Sequence, residues 1–350
     1  EETGSGEAKE VAAGSGRVCL QAVDQSVPAR GRWRIEQRKH REHPPFQCRE
    51  AAARAGKRRG IGLCLFIERC GGGGGASETA TLRFEADGSL TLLSGAMSNG
   101  QGHETAYSQI IHERLGIPLE KIHVVQGDTD QIKAGMGTGG SWSLPMGGGA
   151  VWGAADRLID RGKRIAAHRL EAAVADIEFE DGRFRVTGTD MGVDLDEVVR
   201  LAFTPGGLPP ELEPGLSGED RYQPANHTFP YGCHIAEVEV DGDTGVVTLV
   251  GYHCVHDVGR ALNPLLLAGQ IHGGVVQGIG QALLEHTVYD EQGQLLSGSY
   301  VDYCLPRADD LPTLGFVHTE TTPSPHNPMN IKGCGEAGAA GSPPAVINAL

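Results

Sequence analysis

Apolar and polar positions alternate in several short stretches of the chain, and this alternation predicts β-hairpins. Residues 78–97 alternate around Asp87-Gly88, and residues 234–255 alternate on both sides of Asp243-Thr244-Gly245. A smaller hairpin is predicted around Asp181-Gly182. Period-two alternation interrupted by such turn residues is typical of antiparallel strand pairs. The apolar run at 60–68 and the segment 121–128 predict two further strands.

Helical spacing occupies other parts of the chain. A helix is predicted from His103 to Leu115, where Gly116 ends it, and a longer one over 148–175. Asn263-Pro264 begins another long helix, with proline at its first position. Glycines inside a helix cost about 0.5–1 kcal/mol each, so we expect this helix to pack against a backbone or a ligand. Its glycines are Gly269, Gly273, Gly274, Gly278 and Gly280. Together these elements predict an α+β fold.

Three stretches lack such periodicity. Residues 1–47 are crowded with Arg, Gln, His and Lys and are predicted to be disordered or artefactual. Gly71 to Gly75 suggests a flexible link, and the Pro- and Gly-rich residues 204–230 predict a loop. We therefore divide the chain into an atypical segment 1–47, a remnant of a preceding domain with its linker over 48–75, and a main domain over 76–350. The last helix is predicted to be cut short by the chain end.

Composition and charge narrow the function classes. Hydrophobic residues make up 39% of the 350 residues, as in ordinary globular proteins. The net charge of −15 argues against a nucleic-acid-binding surface. No apolar stretch of about 18 residues predicts a membrane span. The eight cysteines are scattered without CxxC spacing, which favours a reducing cytoplasm and no iron–sulfur site. Glycine is abundant, with 52 residues.

Two glycine-rich segments precede predicted helices. Ser98 to His103 offers bare backbone N–H groups and the amide of Gln101, which suits an anion site. Taken alone, the segment is more typical of a strand-to-helix turn carrying a surface glutamine. Gly137 to Ser143 adds three hydroxyls and could cradle a phosphate or a pterin edge. The alternative is a loop whose serine caps a helix. Neither segment has the spacing of a Walker loop or a Rossmann fingerprint.

Two further segments carry polar groups among small residues. The segment from Asp257 through Asn263 leads to Gln270 and Gln277 on the glycine-rich helix. Buried glutamines there would need partners, whereas exposed ones would have no special role. Glu336 stands among small residues before the last predicted helix. It could serve as a general base, or it could simply complement the helix dipole.

The order and spacing of these segments together resemble one family. SNGQGHE, GTGGSWS, HDVGRALNP with AGQIHGGVVQGIGQALLE, and IKGCGEAG follow one another as in the second molybdenum-cofactor-binding region of the xanthine dehydrogenase/aldehyde oxidase family. Within that family, the segments resemble the bacterial carbon monoxide dehydrogenase-like large subunits. The resemblance runs from about residue 58 to the end.

The resemblance implies roles for particular residues. Glu336 would be the catalytic base, and Gln101 would contact the ligands of a molybdenum that is held through a pterin dithiolene rather than by protein atoms. The remaining expected cofactor-binding residues are Gly100, Gly102, His103, Thr138, Gly139, Gly140, Ser141, Ser143, Asp257, Asn263, Gln270 and Gly335.

The resemblance also implies cofactors and partners. The cofactor would be molybdopterin, as the cytosine dinucleotide, and the substrate an aldehyde, an N-heterocycle or carbon monoxide oxidised with oxygen from water. An iron–sulfur small subunit with 2Fe-2S clusters and an FAD-binding medium subunit would take the electrons, in a dimer of heterotrimers. The upstream cofactor-binding region of the family is missing here, so we expect the isolated chain to be inactive. Alternatives are a non-catalytic cofactor- or phosphate-binding module and a fragment that misfolds.

Overall fold

The structure is a computed structural model that describes residues 44–350, with side chains from Cys48 onward. Most of the atypical segment 1–47 therefore lies outside the described residues. Within the described part, the helices are α1 Pro44–Arg54, α2 His103–Leu115, α3 Gly148–Leu170, α4 Leu195–Phe203, α5 Pro264–Leu283 and α6 Ala337–Ala349. The strands are β1 Lys57–Ile67, β2 Glu78–Phe84, β3 Leu90–Ser94, β4 Ile122–Val125, β5 Ile177–Glu180, β6 Arg183–Val186, β7 Gly192–Asp194, β8 Ser217–Tyr222, β9 Tyr231–Asp241, β10 Val247–Asp257 and β11 Leu314–Thr319.

The first half of the fold is built on a four-stranded sheet in the order β4-β3-β2-β8. Helices α2 and α3 pack on it, and Leu82, Leu92, Tyr107 and Leu158 are fully buried in the shared core. A small sheet of β5, β6 and β7 and helix α4 flank α3. The α+β prediction is confirmed, and so are the hairpins β2–β3 and β5–β6.

The second half is a four-stranded sheet in the order β1-β9-β10-β11, with α5 and α6 on one face. The predicted hairpin β9–β10 is present, and β11 pairs parallel to β10. Its core includes Ala236, Ile271, Val275 and Val346. No helix in the part of the chain that the structure describes is long and apolar enough to cross a bilayer.

One strand lies inside the region predicted to be a loop. Ser217–Tyr222 forms β8, which pairs antiparallel with β2. The strand is polar in sequence because only Gly218 is buried along it, against Ala154 and Leu158 of α3. Edge strands of this kind lack the apolar alternation that identifies a half-buried strand, so the prediction of an uninterrupted loop over 204–230 was wrong.

The predicted close packing of the glycine-rich helix is present on one side of α5. A Cβ on Gly274 would lie 3.1 Å from the Cα of Gly338, and one on Gly278 would overlap Ser342 Oγ. By contrast, Cβ atoms on Gly269 and Gly273 would meet no atom of residues 44–350 within 4 Å. Glycine therefore permits the α5–α6 contact at some positions and serves no packing purpose at others.

Helix α6 also lies directly on β1. Cβ atoms on Gly60 and Gly62 would overlap the carbonyl oxygens of Ala349 and Ala345. Since α6 runs antiparallel to β1, its first residue is carried towards the end of that strand. This close approach determines where the segment before α6 is placed.

A buried polar cluster lies between this second sheet and α6. The Nδ1 atom of His234 lies 2.5 Å from Tyr252 Oη, and His234 Nε2 lies 2.8 Å from His256 Nε2. Burial lowers the pKa of His234 to about 4 and that of His256 to about 3. Both imidazoles are therefore neutral at pH 7 and can share one N–H through their Nε2 atoms. The Cys254 thiol is the third group in this cluster that could bind a metal ion.

The opposite face of the second sheet carries exposed apolar residues. Leu65, Val255 and Val317 are 74%, 43% and 58% exposed. Their strands place them in one row across the sheet, with Cys233 between Leu65 and Val255. A row of this kind on a sheet face is typical of a surface that another chain or domain covers.

Candidate functional site

The two halves of the fold meet at a cavity of about 390 Å³. Its walls are the start of α2, the loop before α3, the start of α5 and the segment before α6. Ten of the predicted site residues line it: Gln101, His103, Thr138, Gly139, Ser141, Ser143, Asn263, Gln270, Gly335 and Glu336. The structure thus brings all four glycine-rich segments to one place.

Four predicted residues do not line the cavity. Gly100, Gly102 and Gly140 have φ values of 91°, 84° and 47°, in the left-handed region where glycine is favoured. A Cβ on Gly102 would also lie 2.7 Å from Leu266 Cδ2. These glycines give the loops their shape. The fourth residue, Asp257, is buried in an ion pair behind the cavity wall.

Gln101 is held in place by its own loop and by the neighbouring one. Its Oε1 accepts a 2.6 Å hydrogen bond from the Asn99 N–H, and its Nε2 donates to Met97 O at 3.3 Å and to Thr138 Oγ1 at 3.4 Å. The Thr138 hydroxyl in turn contacts Ser143 Oγ. The amide is therefore oriented by backbone and hydroxyl partners at the cavity surface, unlike a freely rotating surface glutamine.

His103 is buried at the first position of α2 and lines the cavity. Burial lowers the pKa of this imidazole. The Nε2 amide of Gln126 lies 3.2 Å from His103 Nδ1. An amide N–H can donate only to an unprotonated ring nitrogen, so this contact fits a neutral His103.

The loop at 137–143 and the segment before α6 are joined at Glu336. Ser141 Oγ donates a 2.7 Å hydrogen bond to Glu336 Oε2 and accepts a 3.1 Å hydrogen bond from the Glu336 N–H. Ser141 has a φ of 52°, which is unusual for a residue with a side chain. Glu336 is exposed to the cavity and occupies the N-cap position of α6 without capping it through its side chain.

The start of α5 contributes one capped turn and one glutamine. The side chain of Asn263 accepts a 3.0 Å hydrogen bond from the Leu266 N–H and donates to Gln109 Oε1 at 3.1 Å. Asn263 therefore caps α5 and connects it to α2. Gln270 is half-buried at the cavity, whereas Gln277 is exposed. The interpretation of Gln277 as an ordinary surface residue is the one the structure supports.

Asp257 and Lys332 form a buried ion pair beneath the site. Lys332 Nζ lies 2.7 Å from Asp257 Oδ1, with side chains 6% and 1% exposed. Burial alone would raise the pKa of Asp257, but hydrogen bonds from Lys332, Thr321 and the Gly259 N–H hold it well below its usual range. The pair anchors the segment that leads to Glu336. Asp257 does not line the cavity, and its contact with a cofactor stays a prediction.

Several residues at the site carried no signal in the sequence. Asn99, Arg260 and Lys332 line the cavity, and the carboxyl of Glu68, which directly follows β1, contacts that of Glu336. The first three stand inside the glycine-rich motifs, but nothing in those motifs distinguishes them from their neighbours, and Glu68 follows a strand with no pattern of its own. The five glycines after Cys70 were interpreted as a link, yet Gly71 is buried and its N–H donates to Gly140 O at 3.0 Å.

The cavity walls suit a ligand with a phosphate and a flat heterocyclic ring. Helix α2 begins beside the cavity with no side-chain cap among the described residues, and uncapped helix N-termini favour anions. The cavity's volume, these N–H groups and the hydroxyls of Thr138, Ser141 and Ser143 in its lining fit a pterin cofactor with a phosphorylated tail.

Comparisons with known proteins agree with this geometry. Residues 38–312 match the family model described as the molybdopterin cofactor-binding domain. The carbon monoxide dehydrogenase large chain of Afipia carboxidovorans is 37% identical over 83% of this chain and 37% of its own. The nicotine 6-hydroxylase large subunit of Paenarthrobacter nicotinovorans is 36% identical over 88% of this chain and 39% of its own.

Solved structures show the same fold. A Cu,Mo-CO dehydrogenase matches with a TM-score of 0.79 and 36% identity over 87% of this chain and 39% of that one. Quinoline 2-oxidoreductase from Pseudomonas putida 86 matches with the same TM-score and identity over 87% of this chain and 40% of that one. The chain therefore belongs to the molybdopterin-cofactor-binding family of large subunits that includes carbon monoxide dehydrogenase. It spans about two-fifths of the length of these relatives.

Proposed function

We propose that this chain is part of the catalytic, molybdopterin-binding subunit of a molybdenum hydroxylase, with Glu336 as its general base. The observation that carries the proposal is the position of Glu336. Its carboxyl is exposed to a cavity walled by the cofactor-type loops and is oriented there by Ser141. General bases act through such positioned carboxylates, at hydrogen-bonding distance from the proton they remove.

The bound molybdenum cofactor would supply the two-electron oxidation of substrate and the site at which oxygen from water is activated. Glu336 would accept the proton that this oxygen loses as it is transferred to carbon. Gln101, held by Asn99 and Thr138, would orient the reacting end of the cofactor. The segment from Thr138 to Ser143, with His103, Asn263 and Gln270, would bind the pterin and its phosphates. The cytosine dinucleotide form is part of this proposal.

The proposal places the chain within a larger electron-transferring enzyme. Electrons would pass to 2Fe-2S clusters on a small subunit and to FAD on a medium subunit, in a cytoplasmic dimer of heterotrimers. The exposed apolar row of Leu65, Val255 and Val317 supports the proposal that further protein covers this face of the second sheet. Because the chain spans only about two-fifths of its relatives' length, activity would require the rest of such an enzyme.

The substrate class extends from carbon monoxide to aldehydes and N-heterocycles. Relatives of similar identity include a carbon monoxide dehydrogenase, a nicotine 6-hydroxylase and a quinoline 2-oxidoreductase. The cavity lining supports the reaction class rather than one substrate within it, because every predicted role among its residues is towards the cofactor or the proton transfer.

The alternative function is cofactor or phosphate binding without turnover. It is favoured by the uncapped N–H groups at the start of α2, which need no general base. Glu336 distinguishes the two functions, because only a hydroxylase requires its carboxylate.

The test is the Glu336→Gln variant in the assembled holoenzyme, assayed with carbon monoxide, nicotine and quinoline as electron donors. We expect molybdenum content to equal that of the unmodified protein and turnover to fall at least about a hundredfold, as for loss of a general base. Unchanged turnover would remove Glu336 from the reaction. If the unmodified protein contains molybdenum but oxidises none of the three donors, the result favours the binding function.

A further inference from the structure

Glu68 lies where the first strand of the second sheet reaches the site. It directly follows β1, and its N–H donates a 3.0 Å hydrogen bond to Pro230 O. Two residues later, Cys70 and Thr228 exchange backbone hydrogen bonds of 3.0 and 2.8 Å. Backbone hydrogen bonds of the kind that join paired strands therefore hold Glu68 itself and the residue two positions after it.

The segment that carries Glu336 is attached to the same place. The Gly333 N–H donates to Thr228 Oγ1 at 3.1 Å, and Cys70 Sγ donates to Gly333 O at 3.3 Å. The packing of α6 on Gly60 and Gly62 of β1 directs the start of α6 towards the same strand end. The carboxyl groups of Glu68 and Glu336, far apart in sequence, are thereby brought within hydrogen-bonding contact of each other.

The environment of Glu68 opposes a second negative charge. Its Oε2 atom is buried, and no described residue donates a hydrogen bond to it. Burial, followed by repulsion from the Glu336 carboxylate, raises the pKa of Glu68 to about 7. The other titratable groups beside it are the thiols of Cys70 and Cys334, whose pKa values burial raises to about 12. None of these groups is a cation that could stabilise two carboxylates.

We propose that Glu68 is a positioning residue for Glu336: its neutral carboxyl keeps a proton and donates it in a hydrogen bond to the Glu336 carboxylate. Ser141 and Glu68 are then two donors that orient one acceptor. A carboxyl pair in such surroundings shares a proton instead of ionising twice. The catalytic consequence rests on the proposed function, whereas the sharing of the proton can be measured without turnover.

The first experiment follows the carboxyl groups of the full chain by ¹³C NMR with labelled glutamate, in unmodified protein and three variants. We expect one glutamate to titrate near pH 7, since burial and Glu336 raise the pKa of Glu68. The signal should vanish in Glu68→Gln and move to lower pH in Glu336→Gln, where the repelling charge is gone. The control Glu120→Gln, at an exposed position remote from the cavity, should leave it unchanged.

Two results would overturn the proposal. One is that every glutamate titrates near the ordinary value of about 4.3. The other is that the high signal persists in Glu68→Gln, or does not move in Glu336→Gln. The Glu336→Gln spectrum keeps the test valid even if Glu68→Gln does not fold.

The second experiment separates this proposal from the proposed function by using turnover. Glu68 loses its proton above about pH 7, so kcat of the holoenzyme should decline there. In Glu68→Gln, whose amide donates at every pH, the decline should disappear and kcat below pH 7 should be retained. Glu68→Leu, which has no donor, should lose about tenfold or more in kcat with KM little changed.

An unaltered pH profile in Glu68→Gln, or full activity in Glu68→Leu, would contradict the positioning role. Full activity in Glu336→Gln would instead overturn the proposed function. In that case the coupled titration of the two carboxyls would still report whether they share a proton.

Discussion

Ser141 and Glu336 are 195 positions apart in the sequence, yet the Ser141 hydroxyl donates a 2.7 Å hydrogen bond to the Glu336 carboxylate and accepts one from its backbone N–H. This pair connects the loop before α3, in the first half of the fold, to the start of α6, in the second half. It therefore joins the two halves at the cavity, and it makes the orientation of Glu336 depend on a residue with a positive φ.

Replacing Ser141 with alanine should reduce kcat while the cofactor stays bound. Hydrogen bonds to charged groups contribute about 1.5–3 kcal/mol, which corresponds to about a ten- to hundredfold loss in rate. The measurement is kcat per molybdenum in the holoenzyme. Ser217→Ala, at the exposed start of β8, is the matched control and should retain full activity. Equal kcat in both variants would show that the hydrogen bond does not contribute to the reaction.

Replacing Gln101 with alanine should weaken binding of the cofactor. The variant loses an amide that Asn99 and Thr138 orient at the cavity. We expect lower molybdenum content by metal mass spectrometry, or an altered molybdenum signal in electron paramagnetic resonance. Gln292→Ala, at an exposed loop position, should behave as the unmodified protein. An unaltered spectrum at full occupancy in Gln101→Ala would argue against the contact.

Removing the charge of Lys332 should destabilise the fold strongly. Lys332→Met leaves Asp257 ionised and buried without its partner, which costs about 3–5 kcal/mol of unfolding free energy. Arg183→Met breaks an exposed pair with Asp194 and should cost about 1 kcal/mol or less. Denaturant unfolding of the two variants makes the comparison. Similar losses would mean that the buried pair does not anchor the segment before Glu336.

The same pair should make stability depend on pH at the acid end. The pKa of Asp257 is lowered in the folded chain, so its contribution is fully present above the unfolded value of about 3.9 and is lost as pH falls further. We expect the acid unfolding transition of Asp257→Asn to be less steep than that of the unmodified chain. Parallel acid transitions would show that Asp257 is not shifted.

Two glycines of one helix should respond in opposite directions to alanine. At Gly278 a Cβ would overlap Ser342 Oγ, so Gly278→Ala should destabilise the chain by about 1–3 kcal/mol. At Gly273 a Cβ meets nothing within 4 Å, so Gly273→Ala should stabilise it by about 0.5–1 kcal/mol through helix propensity. Thermal unfolding measures both. A gain in stability at Gly278 would refute the close contact between α5 and α6.

Local patterns were sufficient for much of the fold. The hairpins around Asp87-Gly88 and Asp181-Gly182, the end of α2 at Gly116 and the start of α5 at Asn263-Pro264 follow from turn and capping residues, whose effects act within a few positions. Non-local pairing was not accessible in the same way. Strand β8 is polar and exists because it pairs with β2, and no property of its own sequence indicates that partner.

The residues of the site also divide into those that local sequence patterns indicate and those that depend on contacts between distant parts of the chain. The glycine-rich segments indicated ten of the residues that line the cavity, because a loop whose backbone approaches a ligand closely needs glycine. Glu68 could not be found in this way, since a single glutamate after an apolar strand has no distinguishing pattern. Its role depends on the packing of α6 on β1 and on the attachment of Gly333 to Thr228, both contacts between distant parts of the chain.

The central claim is that this chain forms part of a molybdenum-cofactor site, and the most direct measurement is molybdenum per chain. The chain would be co-expressed with genes for the proposed small and medium subunits, purified, and analysed by metal mass spectrometry, with nucleotides released on denaturation identified by chromatography. The account predicts near-stoichiometric molybdenum together with a cytosine nucleotide. Purified, folded assembly that contains neither molybdenum nor a pterin nucleotide would contradict it.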